Sequence, residues 1–221
     1  MRCNLCRGLV LRLGRGPFAA RCVCCLSTPL HRAMGLALDD LKLPPATRVY
    51  ELSARGALVR YLRAQYRDVT LSEYRHGEAP GTMRRGVACQ DVQRLTYPDA
   101  MFDLVTSTEV FEHVADDRAG FREVHRVLAP GGWFVFTVPI ADADTTLERA
   151  VHRDGRIVHL TAAEYHRDRL RRVLAFRTYG RDIERRLADA GFSAHVHTID
   201  DRPHRVCAVP VVVACKAPAA R

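Results

Sequence analysis

The chain has 221 residues and a formal net charge of +9, from 34 basic and 25 acidic side chains. Hydrophobic residues make up 48% and charged residues 27%, the balance of a globular protein with room for one α/β core and a small appendage. No apolar run approaches the ~18 residues of a membrane span, and Met1-Arg2-Cys3-Asn4 opens no apolar stretch of signal-peptide type, so the expected location is cytoplasmic.

The positive charge rests on 32 arginines against two lysines, Lys42 and Lys216. It is spread along the chain with only short clusters, such as residues 167–172, which reads as a solvated surface. A nucleic-acid partner is therefore not favoured, although basic charge keeps it among the alternatives.

Eight cysteines stand out for a chain expected in a reducing compartment, and five of them fall within the first 25 residues. In that setting metal binding outranks disulfides. Cys3 and Cys6 form one C-x-x-C pair, Cys22 and Cys25 a second, with fifteen residues between them. Two such turns bring four thiolates to one tetrahedral zinc ion. Between the pairs, residues 9–13 read as a strand, residues 14–17 as a glycine–proline turn, and the chain then returns. Arg7 and Leu26 occupy the places where glycine usually follows each second cysteine. Cys24 competes as a ligand, and His31 is a further donor. The expectation is a zinc-ribbon-like module over 1–32 with a structural zinc on Cys3, Cys6, Cys22 and Cys25, closed to chemistry because no coordination position stays open.

From Met34 the pattern changes. A helix carrying Ala33, Leu36, Ala37, Leu38 and Leu41 stops at Pro44-Pro45. Then follow strand 48–53, helix 56–66, strand 68–73, a strand near 86–89, strand 102–108, helix 116–128 and strand 132–138. Helix 180–190 ends at Gly191, and strands near 192–199 and 206–214 close the domain. Alternation of this kind predicts a parallel sheet with helices on both faces and a ligand at the carboxyl ends of its strands. Pro210 in the last strand predicts an interruption or an edge. The main domain is expected over 33–216, with an insertion at 139–179 and a flexible tail at 217–221.

Several residues stand where a nucleoside would need them. Glu51 ends the first core strand and Glu73 the second, 22 residues on, close to the ~20-residue interval at which an acid reaches ribose hydroxyls. Asp91-Val92, the string Phe102-Asp103-Leu104-Val105, Glu109-Val110-Phe111-Glu112-His113-Val114, and Arg126-Val127-Leu128-Ala129-Pro130-Gly131-Gly132 follow. In these residues the sequence resembles the class I S-adenosylmethionine-dependent methyltransferases over about residues 48–215. It also resembles a bacterial subgroup in which a four-cysteine ribbon precedes the domain and the glycine loop has the form Glu-x-Ser-x-Arg-Gly, here Glu51 to Gly56.

The resemblance implies a Rossmann-like fold and S-adenosylmethionine as cofactor. It implies contacts from Glu51, Ser53, Arg55, Gly56, Glu73, Tyr74, Asp91, Val92, Thr106 and Ser107, with Tyr74 packed on the adenine. Only Gly56 keeps the family's glycine. Arg55 either faces solvent or pairs with the cofactor's carboxylate. Loss of the glycines at positions 53 and 55 keeps a non-catalytic zinc-binding adaptor among the readings.

The insertion is expected to cover the acceptor and offers Asp142, His152, His159, Glu164, Tyr165 and His166. His159 and His113 are the candidate catalytic groups, for an acceptor hydroxyl that must lose its proton. If residues 109–113 are helical, Glu109, Glu112 and His113 share a face. Some relatives hold a divalent metal such as magnesium with a similar Glu-x-x-Glu-His, which His159 or His166 would complete here. The leading expectation is O-methylation of a small molecule: a sugar, a lipid-linked compound or a secondary metabolite. A ribosomal RNA methyltransferase with a zinc ribbon is the enzymatic alternative.

Overall fold

The computed structural model describes residues 1–16, 18–168 and 171–219. Pro17 of the expected turn, residues 169–170 of the basic cluster and the last two residues of the expected tail lie outside the described residues.

The chain opens with β1 (Val10–Arg12) and β2 (Ala20–Cys22), paired antiparallel so that Val10 faces Cys22. α1 (Pro29–Asp40) starts at Thr28, whose side chain accepts from the His31 N–H while the His31 ring returns a bond to the Thr28 backbone. This reciprocal cap starts the helix within the expected ribbon, so α1 runs across residue 32. β3 (Arg48–Glu51), α2 (Ala57–Gln65) and β4 (Asp68–Glu73) follow. Then come β5 (Met83–Arg84) and β6 (Val87–Cys89), a short hairpin whose first strand the sequence did not announce. β7 (Phe102–Thr108), α3 (Asp117–Val127) and β8 (Leu128–Thr137) complete the parallel core.

The insertion holds three antiparallel pairs. β9 (Leu147–Glu148) lies first, followed by β10 (Ala150–Arg153) with β11 (Arg156–His159), and β12 (Tyr165–Asp168) with β13 (Arg171–Leu174). β14 (Arg177–Thr178) returns to pair with β9. α4 (Ile183–Ala188), shorter than the expected 180–190, precedes β15 (Phe192–Asp201) and β16 (Val206–Lys216).

The main sheet runs in the order β15-β16-β8-β7-β3-β4-β6-β5. β6, β4, β3, β7 and β8 are mutually parallel, and β16 is antiparallel to β8. Strand order reverses between β3 and β7, the switch point at which such sheets open a ligand crevice. Pro210 is not at an edge, because β16 is flanked by β15 and β8. Its ring is tolerated because pairing with β8 begins only at Val212, so the missing N–H leaves no gap in that ladder.

Alternation along the strands divides the core in two. Tyr50, Val105, Phe134, Phe136 and Val212 face α3 and α4, packing with Phe121, Val124, Ile183 and Leu187. Their neighbours Val49, Leu104, Val135 and Val211 face α1 and α2, packing with Met34, Leu38, Leu58 and Leu62. Helices therefore cover both faces, as the sequence predicts. No helix among the described residues is long and apolar enough to cross a membrane.

Candidate active site and metal centre

The four expected thiols converge. Cys3 Sγ lies 3.7 Å from Cys25 Sγ and Cys6 Sγ 3.4 Å from Cys22 Sγ, and all four sulfurs lie within 4.8 Å of one another. A tetrahedron with Zn–S bonds of 2.3 Å has S–S edges of about 3.8 Å, so the spacing fits a bound ion. It is far beyond a disulfide bond of about 2.05 Å. Both pairs sit in matching turns. The Arg7 N–H donates to the Cys3 carbonyl at 2.8 Å and the Leu26 N–H to the Cys22 carbonyl at 3.0 Å. Each of these two residues is left-handed, with φ of 64° and 61°. Gly8 packs so closely that a Cβ there would stand 2.9 Å from Cys22 Sγ. Cys24 is exposed and outside the group of four. His31 is outside it too, its Nδ1 spent on the cap of α1.

At the carboxyl ends of the parallel strands, Glu51 is 1% exposed and accepts from Thr106 Oγ1 at 2.5 Å. Burial pushes its pKa up to about 7, against donors from Thr106 and Ser53. Glu73 ends the neighbouring strand half-exposed, and Arg55 Nη2 lies on its Oε1 at 2.6 Å. Arg55 thus pairs with the acid expected at the ribose, a partner the sequence did not suggest. Gly56, at φ 125°, caps α2 in a conformation that favours glycine.

Asp91 is turned onto its own loop, accepting from the Gln93 N–H at 2.9 Å and Gln93 Nε2 at 3.0 Å. Val92 is buried in the core beside Phe111 and Phe121. Tyr74 is 64% exposed. Thr106 and Ser107 are fully buried.

The segment after β7 is not an α-helix. Glu109 has φ 53°, and Phe111–His113 form one turn of 3-10 helix. That turn still gathers the acids and histidines. Glu112 is fully buried, yet neither carboxylate oxygen has a hydrogen-bond partner. His166 Nδ1 stands 3.6 Å and His113 Nε2 3.7 Å from Glu112 Oε1, in ion-pair range but beyond a formed hydrogen bond. The Glu112 carboxylate holds the His166 pKa up to about 9 against partial burial, with help from Glu164. Glu109 is pushed up to about 7 by burial and by the Glu112 charge. His113 Nδ1 lies 2.8 Å from the Leu174 carbonyl, which fixes its proton there and leaves Nε2 as acceptor in the neutral ring. Ser107 Oγ, Thr108 Oγ1, Thr137 Oγ1 and Glu109 Oε1 are also buried without partners. Buried polar atoms normally find partners, so this concentration points to a polar ligand.

His159 is exposed in β11, paired across the hairpin with Ala150. His166 therefore joins the Glu112–His113 group, and His159 does not. Sequence reasoning also missed Arg177. It is 3% exposed and donates to the carbonyls of Phe111, Val114 and Ala115, pinning the insertion to the turn that carries Glu112. No spacing rule marks one arginine among 32 as buried. A separate cleft of ≈ 240 Å³, lined by Thr47, Asp103, Gly132 and Trp133 among others, opens at the amino ends of the strands. It holds none of the site residues, and ligands of such sheets bind at the other end.

The sheet order and its switch point give the Rossmann-like fold seen in class I S-adenosylmethionine-dependent methyltransferases. Residues 46–136 match the methyltransferase domain family. The malonyl-acyl-carrier protein O-methyltransferase of Geobacter sulfurreducens is 32% identical over 145 residues, 58% of this chain and 54% of that protein. A demethylmenaquinone methyltransferase of a Mycobacterium species is 33% identical over 141 residues, 62% of this chain and 56% of that protein. The chain spans about half or less of the length of the curated relatives it matches. Among solved structures, an S-adenosylmethionine-dependent methyltransferase from Mesorhizobium loti aligns with a TM-score of 0.54 at 21% identity, over 83% of this chain and 98% of that one. An amino pentose methyltransferase from Micromonospora echinaspora aligns with a TM-score of 0.56 at 15% identity, over 86% and 92%. At these identities the structural likeness speaks for the fold.

Proposed function

We propose that this protein transfers a methyl group from S-adenosylmethionine to an oxygen of a small molecule, and that its amino-terminal module holds a structural zinc. The observation that carries the enzymatic reading is the set of buried oxygens without a hydrogen bond on Ser107, Thr108, Glu109, Glu112 and Thr137, at and just beyond the carboxyl ends of β7 and β8. A polar ligand of nucleoside-plus-acceptor size meets that demand; a bare adaptor surface would not need it. Relatives are named for malonyl-acyl-carrier protein and for demethylmenaquinone, which supports a small or carrier-bound acceptor.

When bound, the cofactor supplies an electrophilic methyl group on a sulfonium. Glu73 accepts from the ribose hydroxyls once Arg55 turns aside, and the Arg55 guanidinium then meets the cofactor's carboxylate. Glu51 supports the loop from below through Thr106 and Ser53. His113 Nε2, the lone-pair nitrogen, takes the proton of an acceptor hydroxyl, and the insertion keeps water from the site. Calorimetry with S-adenosylhomocysteine tests this: Glu73→Ala should weaken binding at least tenfold. Equal affinity in both proteins would remove Glu73 from the cofactor site.

One observation favours a second role for the same pocket. Glu112, fully buried with neither oxygen hydrogen-bonded, stands with His113 and His166 at ligand spacing. A divalent cation such as magnesium or manganese would satisfy all three and displace the proton from His166. Titration of manganese should then give heat with the native protein and none with Glu112→Gln; no heat from either would end the metal reading and leave His113 as base.

A further inference from the structure

The cysteine module is built into the wall of the cofactor loop. β3 ends at Glu51, residues 52–56 form the loop, and α2 begins at Ala57. Ala57 is 4% exposed and packs in one cluster with Cys3, Cys22, Cys25, Val10 and Ala20. One turn later the Arg60 guanidinium donates to the carbonyl of Cys25. The Arg60 N–H closes the first helical bond on the Gly56 carbonyl at 3.4 Å. A single residue thus joins a metal-ligand backbone to the last residue of the cofactor loop.

The module is also clamped from the opposite side. Arg32, fully buried, donates to the carbonyls of Ala20 at 3.2 Å and Ser27 at 2.9 Å, and to those of His204 at 2.7 Å and Arg205 at 3.2 Å. The module is thereby held to the body of the protein. On its strand side the loop is held by Arg55 on Glu73 and by the Leu52 N–H on the Thr106 carbonyl. Ser53 and Arg55 replace the glycines of a tight turn, and no side chain caps α2. On the α2 side its support comes from Ala57 and Arg60 against the cysteine module.

Resting on the two sites described above, we propose that metal in the four-cysteine site and cofactor in the methyltransferase site bind cooperatively, with Arg60 as the positioning residue that couples them. The ion holds the Cys22–Cys25 turn, whose Leu26 sits in the left-handed region. The Cys25 carbonyl then fixes Arg60 and the start of α2. Linkage requires the effect to be reciprocal: cofactor must tighten metal by the factor by which metal tightens cofactor.

The test uses the full chain loaded with zinc and two readouts: S-adenosylhomocysteine affinity by calorimetry, and the rate of zinc transfer to a chromophoric chelator. Saturating S-adenosylhomocysteine should slow zinc transfer by about tenfold, and stripped protein should bind it about tenfold more weakly. Stripping also risks unfolding the module, so Arg60→Met, which leaves all four cysteines in place, is the decisive variant. It should keep one zinc per chain, bind S-adenosylhomocysteine several-fold more weakly and lose the protection of zinc by ligand. Arg60→Lys should recover part of both effects. Zinc transfer indifferent to S-adenosylhomocysteine in the native protein, or protection retained in Arg60→Met, overturns the coupling. A loaded protein that binds no S-adenosylhomocysteine removes the cofactor reading, and a chain that takes up no zinc removes the metal reading; either result removes the coupling with it.

Discussion

Glu51 illustrates how one side chain can be costly to the empty protein and useful to the occupied one. With no exposed surface to hydrate it, its carboxyl titrates at about 7 in place of the ordinary 4.5. The fold therefore binds the proton more tightly than the unfolded chain does. Stability contributed by the neutral form is full below pH 4.5 and declines as pH rises through 7, above which the charged form is a constant burden of about 3 kcal/mol. Glu51→Gln should leave the cofactor-free protein unchanged in acid and raise its stability above pH 7, by roughly 1–3 kcal/mol in urea unfolding. Equal stability of both proteins at pH 8 would show that Glu51 is not confined as described.

Arg7 and Leu26 carry a second residue-scale cost, because each adopts a left-handed backbone that glycine takes without penalty. Leu26→Gly should raise the melting temperature of the zinc-loaded protein, by about 0.5–1 kcal/mol in free energy. Leu26 is 63% exposed, so little packing is lost in the exchange. A lower melting temperature would mean that its side chain serves a contact outside this chain's own fold.

At the scale of elements, the insertion is held at its root. Arg177 and Arg186 surround Asp117 and Glu148: Arg186 Nη1 lies 3.0 Å from Asp117 and Nη2 2.7 Å from Glu148, and Arg177 Nε 3.2 Å from Glu148. Tyr179 donates to the same Asp117 at 3.0 Å. These groups tie β9 and β14 to the turn that carries Glu112 and His113. Removing one partner of a buried, hydrogen-bonded charge network typically costs about 3–5 kcal/mol. Arg177→Met should therefore destabilise the protein by about 3 kcal/mol in denaturant unfolding. Hydrogen exchange of β9 and β14 should rise more than that of β3 or β7. Uniform exchange across all four strands would show that the root is not a local anchor.

At the scale of the whole molecule, the core was legible because its rules are local and repeated. Alternation of strands 48–53, 102–108 and 132–138 with helices announced a sheet covered on both faces, and Pro44-Pro45 and Gly191 announced element ends. The cysteine site was legible because each C-x-x-C turn is set by local geometry and one short hairpin, β1–β2, brings the two turns together. Strand β5 and the hairpins of the insertion were not legible. These strands are two to four residues long, too short for any period to show.

By itself, then, the sequence determined the order of strands and helices, the meeting of Cys3, Cys6, Cys22 and Cys25, and the positions of Glu51 and Glu73 at strand ends. These follow from backbone periodicity and turn geometry, which act over a few residues. Only the tertiary structure decided that Arg55 lies on Glu73, that His166 and not His159 joins Glu112 and His113, and that Arg60 links the cysteine module to the cofactor loop. Each of those outcomes joins residues 18 to 54 positions apart. Across such separations, which groups meet is settled by how whole elements pack and which charges burial leaves in need of partners, and no local pattern records it.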